Sequence, residues 1–126
     1  MKKSMSDSEM LLMKCIWDEE EDISIPHLAE VLREKYGKDY KRTTIVTFLS
    51  RLREKGYVQT YRKGRLSYAH PVQTEEEYRQ SIAVQDTQTW FGGQPSRYLS
   101  ALVDQNGLSK EEAERIREIL DEYFDD

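Results

Sequence analysis

KRTTIVTFLSRLREKGYVQTYRKGRLSY, residues 41–68, is the stretch that decides the fold. In its first half Ile45, Leu49 and Leu52 recur at i, i+4 and i+7, with Phe48 beside them, the spacing of one buried helical face. That turns Thr43, Thr47, Ser50 and Glu54 outward and leaves Thr44, Val46, Arg51 and Arg53 on the flanks. Gly56 ends the helix near Lys55 as a left-handed cap would. In the second half, residues 57–61 and 66–70 alternate apolar and polar around Arg62-Lys63-Gly64-Arg65, a hairpin with a basic tip. From Lys41 to Arg65 there are eight Lys or Arg against a single acid, a net of +7 in a protein of net charge −5. Everything outside the window therefore sums to −12. A merely solvated helix mixes its signs more evenly, and a segregated positive field is what a phosphate-binding face requires.

Before this stretch, Ser6 and Glu9 form a capping box that opens a helix through about Glu20, with Met10, Met13, Ile16 and Trp17 on one face. A short strand at residues 23–25 leads into a second helix. It is capped by Ser24, carries Pro26 in its first turn, buries Leu28, Ala29, Val31 and Leu32, and ends near Gly37. Three helices followed by a hairpin predict a winged helix-turn-helix over residues 1–72.

After Pro71 the composition shifts. Residues 73–126 carry five basic and thirteen acidic side chains, −8, against +3 for residues 1–72. Capping boxes at Thr74/Glu77 and Ser109/Glu112 and the breakers Gly92-Gly93-Gln94-Pro95 and Asn106-Gly107 predict helices at about 74–90, 96–105 and 109–124. The fold class expected is mainly α with a small β-hairpin: a winged-helix DNA-binding domain, 1–72, and a three-helix dimerisation domain, 73–126. So small a helical segment buries too little surface to be stable alone. Yet Trp90, Phe91, Tyr98, Leu99, Leu102, Ile116, Ile119, Leu120 and Tyr123 exceed what it can hide, and a second copy is the simplest cover.

The β-branched, hydroxyl-rich start of the third helix is poor helix chemistry but suits short side chains lying against base edges. The candidate DNA-binding residues are Lys41, Arg42, Thr43, Thr44, Val46, Thr47 and Arg51 on the helix and Arg62, Lys63 and Arg65 on the wing. Tyr61 and Tyr68 are expected to pack across the hairpin. The rival reading, a winged helix used for protein contacts in a larger assembly, calls for a neutral or acidic face, the reverse of this one.

Catalysis has little support. Cys15 lies on the apolar face of the first helix as a structural thiol, His27 and His70 are far apart, and no nucleophile, base and orienting group assemble. The acidic run Glu19-Glu20-Glu21-Asp22 reads as a solvated turn. No metal or cofactor is expected. No apolar run is long enough to cross a bilayer, and the start of the chain is not a secretory signal. With one cysteine, a reducing cytoplasm is the expected compartment.

Five motifs carry a resemblance over nearly the whole chain: SDSEMLLMKCIW at residues 6–17, TTIVTFLSRLREKGYV at 43–58, YRKGRLSYAHPV at 61–72, WFGG at 90–93, and LSKEEAERIREIL from Leu108. Together they resemble the penicillinase-repressor family of bacterial regulators, which includes the β-lactamase and methicillin-resistance repressors and the copper-responsive CopY-type repressors. The resemblance implies a homodimeric repressor on a dyad-symmetric double-stranded DNA operator, released by a sensor-linked protease or another inducer. Thr44, Thr47 and Arg51 match the family pattern. Thr43 and Val46 stand where relatives often carry a base, which implies a different preferred half-site. The ending Tyr123-Phe124-Asp125-Asp126 lacks the cysteine-rich tail of the copper branch, and Ala101-Leu102 replaces the Asn-Phe pair cut in the β-lactam branch.

Overall fold

A computed structural model describes residues 3–124. Its elements are α1 (Asp7–Asp18), β1 (Ile23–Ser24), α2 (Ile25–Tyr36), α3 (Arg42–Glu54), β2 (Val58–Lys63), β3 (Leu66–Pro71), α4 (Glu75–Phe91), α5 (Pro95–Asp104) and α6 (Lys110–Phe124). They group into two compact units, one running through Tyr78 and the other from Arg79.

The first unit is a winged helix. Ser6 and Glu9 make the reciprocal capping box at α1, and the Ser24 hydroxyl accepts from the His27 N–H at α2. Helix α1 stops at Asp18 rather than near Glu20, because the backbone turns extended at Glu19. The expected strand at 23–25 shortens to Ile23–Ser24, since Ser24 caps and Ile25 already belongs to α2. Strand β1 pairs antiparallel with β3 through Ile23↔Ala69 and Ser24↔Tyr68, giving a sheet ordered β1-β3-β2. The wing strands pair from Val58↔Pro71 to Lys63↔Leu66, so Arg62 and Lys63 lie on β2 and the turn narrows to Gly64-Arg65. Gly64 has φ 66 at the first central position, where a two-residue hairpin loop favours glycine.

Leu12, Met13 and Ile16 of α1, Leu28 and Leu32 of α2, and Ile45, Leu49 and Leu52 of α3 meet Val58 and Ala69 of the sheet in one core. Ala29 and Val31, expected inside, are only half-buried on its edge. Each fully buried Leu or Ile contributes roughly 1.5–3 kcal/mol as an upper figure. The β-branched residues at the start of α3 cost at most about 0.7 kcal/mol each. Packing, not propensity, makes α3 a helix.

Helix α3 ends in a Schellman motif: the Tyr57 N–H donates to the Leu52 carbonyl (2.9 Å) and the Gly56 N–H to that of Arg53 (3.0 Å), with Gly56 at φ 86. Leu52 and Tyr57, both buried, complete it. Gly56→Ala is expected to cost about 1–2 kcal/mol, since an alanine must then hold the left-handed conformation. A lowered urea midpoint at unchanged slope would report it.

The first turn of α4 packs with the winged helix. Trp17 Nε1 donates to the Gln73 carbonyl (2.9 Å), and the Tyr78 ring lies 5.3 Å from Trp17 and 5.8 Å from Tyr57. The compact unit therefore reaches past the compositional change at Pro71. In the second unit Phe91 packs against Tyr98 at 4.7 Å, and α5 closes through Asn106 at φ 58 with the Gly107 N–H on the Leu102 carbonyl (2.7 Å). No described residue of α4, α5 or α6 is buried.

Candidate nucleic-acid interface

The face of α3 away from the core exposes Arg42, Thr43, Val46, Thr47 and Arg51, while Thr44 is half-buried on the flank. Lys41 is the N-cap. It makes no side-chain cap, and the first turn of α3 holds no acid. The helices around it are built differently: hydroxyl side chains of Ser6, Ser24 and Thr74 cap the starts of α1, α2 and α4. An uncapped helix start flanked by Lys41 and Arg42 favours an anion arriving from outside.

Thr47 is more constrained than its sequence position suggests. Its hydroxyl donates to the Thr43 carbonyl one turn back (2.9 Å). The donor is thus engaged within the helix, leaving an acceptor oxygen and a methyl group to face outward.

On the wing, Arg62, Lys63 and Arg65 are exposed, and Arg62 Nε reaches the Gly64 carbonyl (3.4 Å). Tyr61 and Tyr68 stack across the hairpin at 5.6 Å and 15°, as expected. The wing is also braced from behind by Asp22. Tyr61 donates its hydroxyl to Asp22 Oδ2 (2.6 Å) and His70 Nδ1 donates to Oδ1 (2.8 Å), so one carboxylate grips both wing strands. The bond from Tyr61, and the His70 imidazole after burial is offset, hold the Asp22 carboxyl below its ordinary value. The same bond pushes the Tyr61 phenol up to about 12. Asp22 was expected to be a solvated turn residue. Nothing local marks it as a brace, because its partners stand 39 and 48 residues away.

Helix and wing enclose a notch of about 440 Å³. Its lining includes Arg42, Val46, Ser50 and Arg53 of α3 and Thr60 and Arg62 of β2. Lys55, part of the basic window by sequence, is turned away to Glu9 Oε1 (2.5 Å) and the Ser4 carbonyl (3.0 Å). Among the described residues, Lys14, Arg33, Lys35 and Arg117 also stand in ion pairs, whereas Lys41, Arg42, Arg51, Arg53, Arg62, Lys63 and Arg65 stand in none.

Cys15 is buried, which pushes its thiol up to about 11 and makes it a poor nucleophile. His27 is exposed at the start of α2, beside Glu19. Among the described residues no group of His, Cys, Asp and Glu is placed to hold a metal ion, and no helix is long and apolar enough to cross a membrane.

The model of the penicillinase repressor family matches residues 5–122. The chain belongs to the penicillinase repressor family. Among solved structures it is similar to the DNA-binding domain of the repressor BlaI, determined in solution. The two are 31% identical, with 62% of this chain and 94% of that one covered and a TM-score of 0.51. No curated protein matches. Asp22, Arg53 and Thr60, which are not among the candidate residues by sequence, are brought by the fold to the α3–wing notch or to the strands that form it. For Arg53 the sequence offers two signals, its place in the basic window and its position at i+7 from Val46 on the same flank of α3.

Proposed function

We propose that this protein is a transcriptional repressor that binds a dyad-symmetric DNA operator as a homodimer. What carries the reading is the gathering of unpaired cations, an uncapped α3 start and a braced basic wing on one surface of a protein of net charge −5. Family membership and the likeness to a repressor's DNA-binding domain support it. In this reading Thr43, Thr44, Val46 and Thr47 meet base edges, Thr47 by its methyl and acceptor oxygen. Lys41, Arg42, Arg51, Arg62, Lys63 and Arg65 grip phosphates.

The dimer is supported by the second unit, where Trp90 is 73% and Tyr123 74% exposed and Leu102, Ile119 and Leu120 are also open. Phe91, Leu99 and Ile116 are half-buried within their own subunit and would form the edge of such an interface. Apolar surface of that extent on a small unit marks an association site. The Ala101-Leu102 peptide lies inside α5, where the backbone is not extended for a protease, which argues against release by cutting there.

Fluorescence anisotropy with a dyad duplex selected from random sequence tests this division of labour. Thr47→Gln is expected to change the preferred half-site, with discrimination moving by about 1–3 kcal/mol at the contacted base. Arg62→Ala or Arg65→Ala should weaken cognate and scrambled duplexes alike and lower the salt slope by about 2 for the two subunits together. An Arg65→Ala protein with altered sequence preference and an unchanged salt slope would refute the wing assignment.

A further inference from the structure

We propose that the notch between α3 and β2 is the seat of one DNA backbone phosphodiester, gripped by Arg53, with Thr60 as the residue that positions Arg53. This rests on the DNA-binding reading and extends it to residues outside the exposed helix face and the wing tip.

Three guanidinium side chains share the notch: Arg42 from the first turn of α3, Arg53 from its last, and Arg62 from β2. Ser50, Thr60 and Ser67 add hydroxyls, and Leu49 and Ile25 close the base with apolar surface. None of the lining residues is acidic. Like charges gathered on one concave surface repel, and among the described residues none of these three arginines has a carboxylate partner. Such an arrangement is stabilised by a bound anion, and a guanidinium fork matches phosphate oxygens better than a point charge does. Arg53 has an acid beside it in sequence, Glu54, yet its Nη1 donates instead to the Thr60 hydroxyl (2.8 Å). That neutral bond fixes the direction of the side chain and leaves its charge uncompensated. Thr60 stands next to Tyr61, whose hydroxyl Asp22 holds, so the strand carrying the positioning group is itself braced.

The test uses the full chain, the dyad duplex and a scrambled duplex, with affinity followed by anisotropy across sodium chloride concentrations. Arg53→Ala is expected to lower affinity for both duplexes by the same factor, about tenfold, and to reduce the salt slope by about 2 for the dimer, since each lost phosphate contact removes about 0.9. Thr60→Val keeps the charge, so the slope should hold while affinity falls a few-fold. Arg53→Lys should likewise keep the slope and bind less tightly than wild type. An Arg53→Ala slope equal to wild type, or a changed sequence preference, would overturn the seat while leaving the repressor reading in place. Wild-type protein that binds neither duplex at any salt would overturn both. A final arm replaces chloride with inorganic phosphate at equal ionic strength. Extra inhibition by phosphate that Arg53→Ala abolishes would place phosphate in the notch in competition with the duplex, as the seat requires, whereas extra inhibition that Arg53→Ala leaves unchanged would place the competed contact elsewhere and overturn the seat.

Discussion

Light scattering of the intact protein carrying both Ile119→Glu and Leu120→Glu is expected to report the 14.9 kDa chain mass, where the wild type reports about twice that. Both side chains lie on α6 and are open in the single subunit, Ile119 51% and Leu120 49% exposed. Exposed substitutions usually change subunit stability by no more than about 0.5 kcal/mol. A large effect must therefore come from what covers these side chains in the assembly, where two carboxylates would have to be desolvated. Loss of the dimer removes the linkage between two half-site contacts. Affinity for the dyad duplex should then fall by roughly 10²–10⁴-fold, with a single half-site bound about as before. A variant that stays dimeric with wild-type affinity would remove α6 from the interface, and a monomeric wild type would remove the dimer itself.

Glu9→Ala is expected to destabilise the protein by about 3–5 kcal/mol, the range for breaking a buried ion pair from one side. Glu9 is 1% exposed and accepts from Lys55 Nζ (2.5 Å) and from the Ser6 N–H (3.2 Å). Without it the Lys55 ammonium, largely buried at the end of α3, keeps only the Ser4 carbonyl, and the tie between α1 and α3 is lost. Lys55 retains some access to water, which places the effect toward the lower end. Domains of this size are stable by about 5–15 kcal/mol, so even that is a large fraction.

The pair also sets an acid limit. Burial pushes the Glu9 carboxyl up, but Lys55 and Ser6 together outweigh it and bring the group below its ordinary 4.5. A carboxyl lowered in the fold contributes stability that is complete above the unfolded value and disappears as pH falls through the folded one. The urea midpoint of the wild type should fall as the pH drops below about 4.5, and Glu9→Ala should lose this part of the pH dependence. A Glu9→Ala protein as stable as wild type at pH 7 would show that the pair contributes nothing.

Much of the fold is legible in the sequence because its signals are local. Ser6 and Glu9, or Thr74 and Glu77, meet within one turn, and the recurrence of Ile45, Leu49 and Leu52 is a property of a single helix. The alternation around Gly64 likewise needs only two neighbouring strands, and it is enough to lay out a winged helix with its basic face. The end of α1 was less legible, since the extended backbone at Glu19, rather than periodicity, sets it at Asp18.

The sequence by itself therefore determined the order of elements, the buried stripe of α3, the segregation of charge and the family. The tertiary structure alone decided which of those charges remain available. Lys55 and Arg53 are two residues apart and equally basic on paper, yet Lys55 is neutralised by Glu9, 46 residues away, while Arg53 is aimed by the neutral hydroxyl of Thr60. Asp22 looked like one more acid in a solvated run until the fold brought Tyr61 and His70 to it from positions 39 and 48 residues distant. The physical reason is range: caps and periodicities are written in neighbours a few residues apart, whereas the partner of a charged side chain is selected by whatever packing brings within about 3 Å.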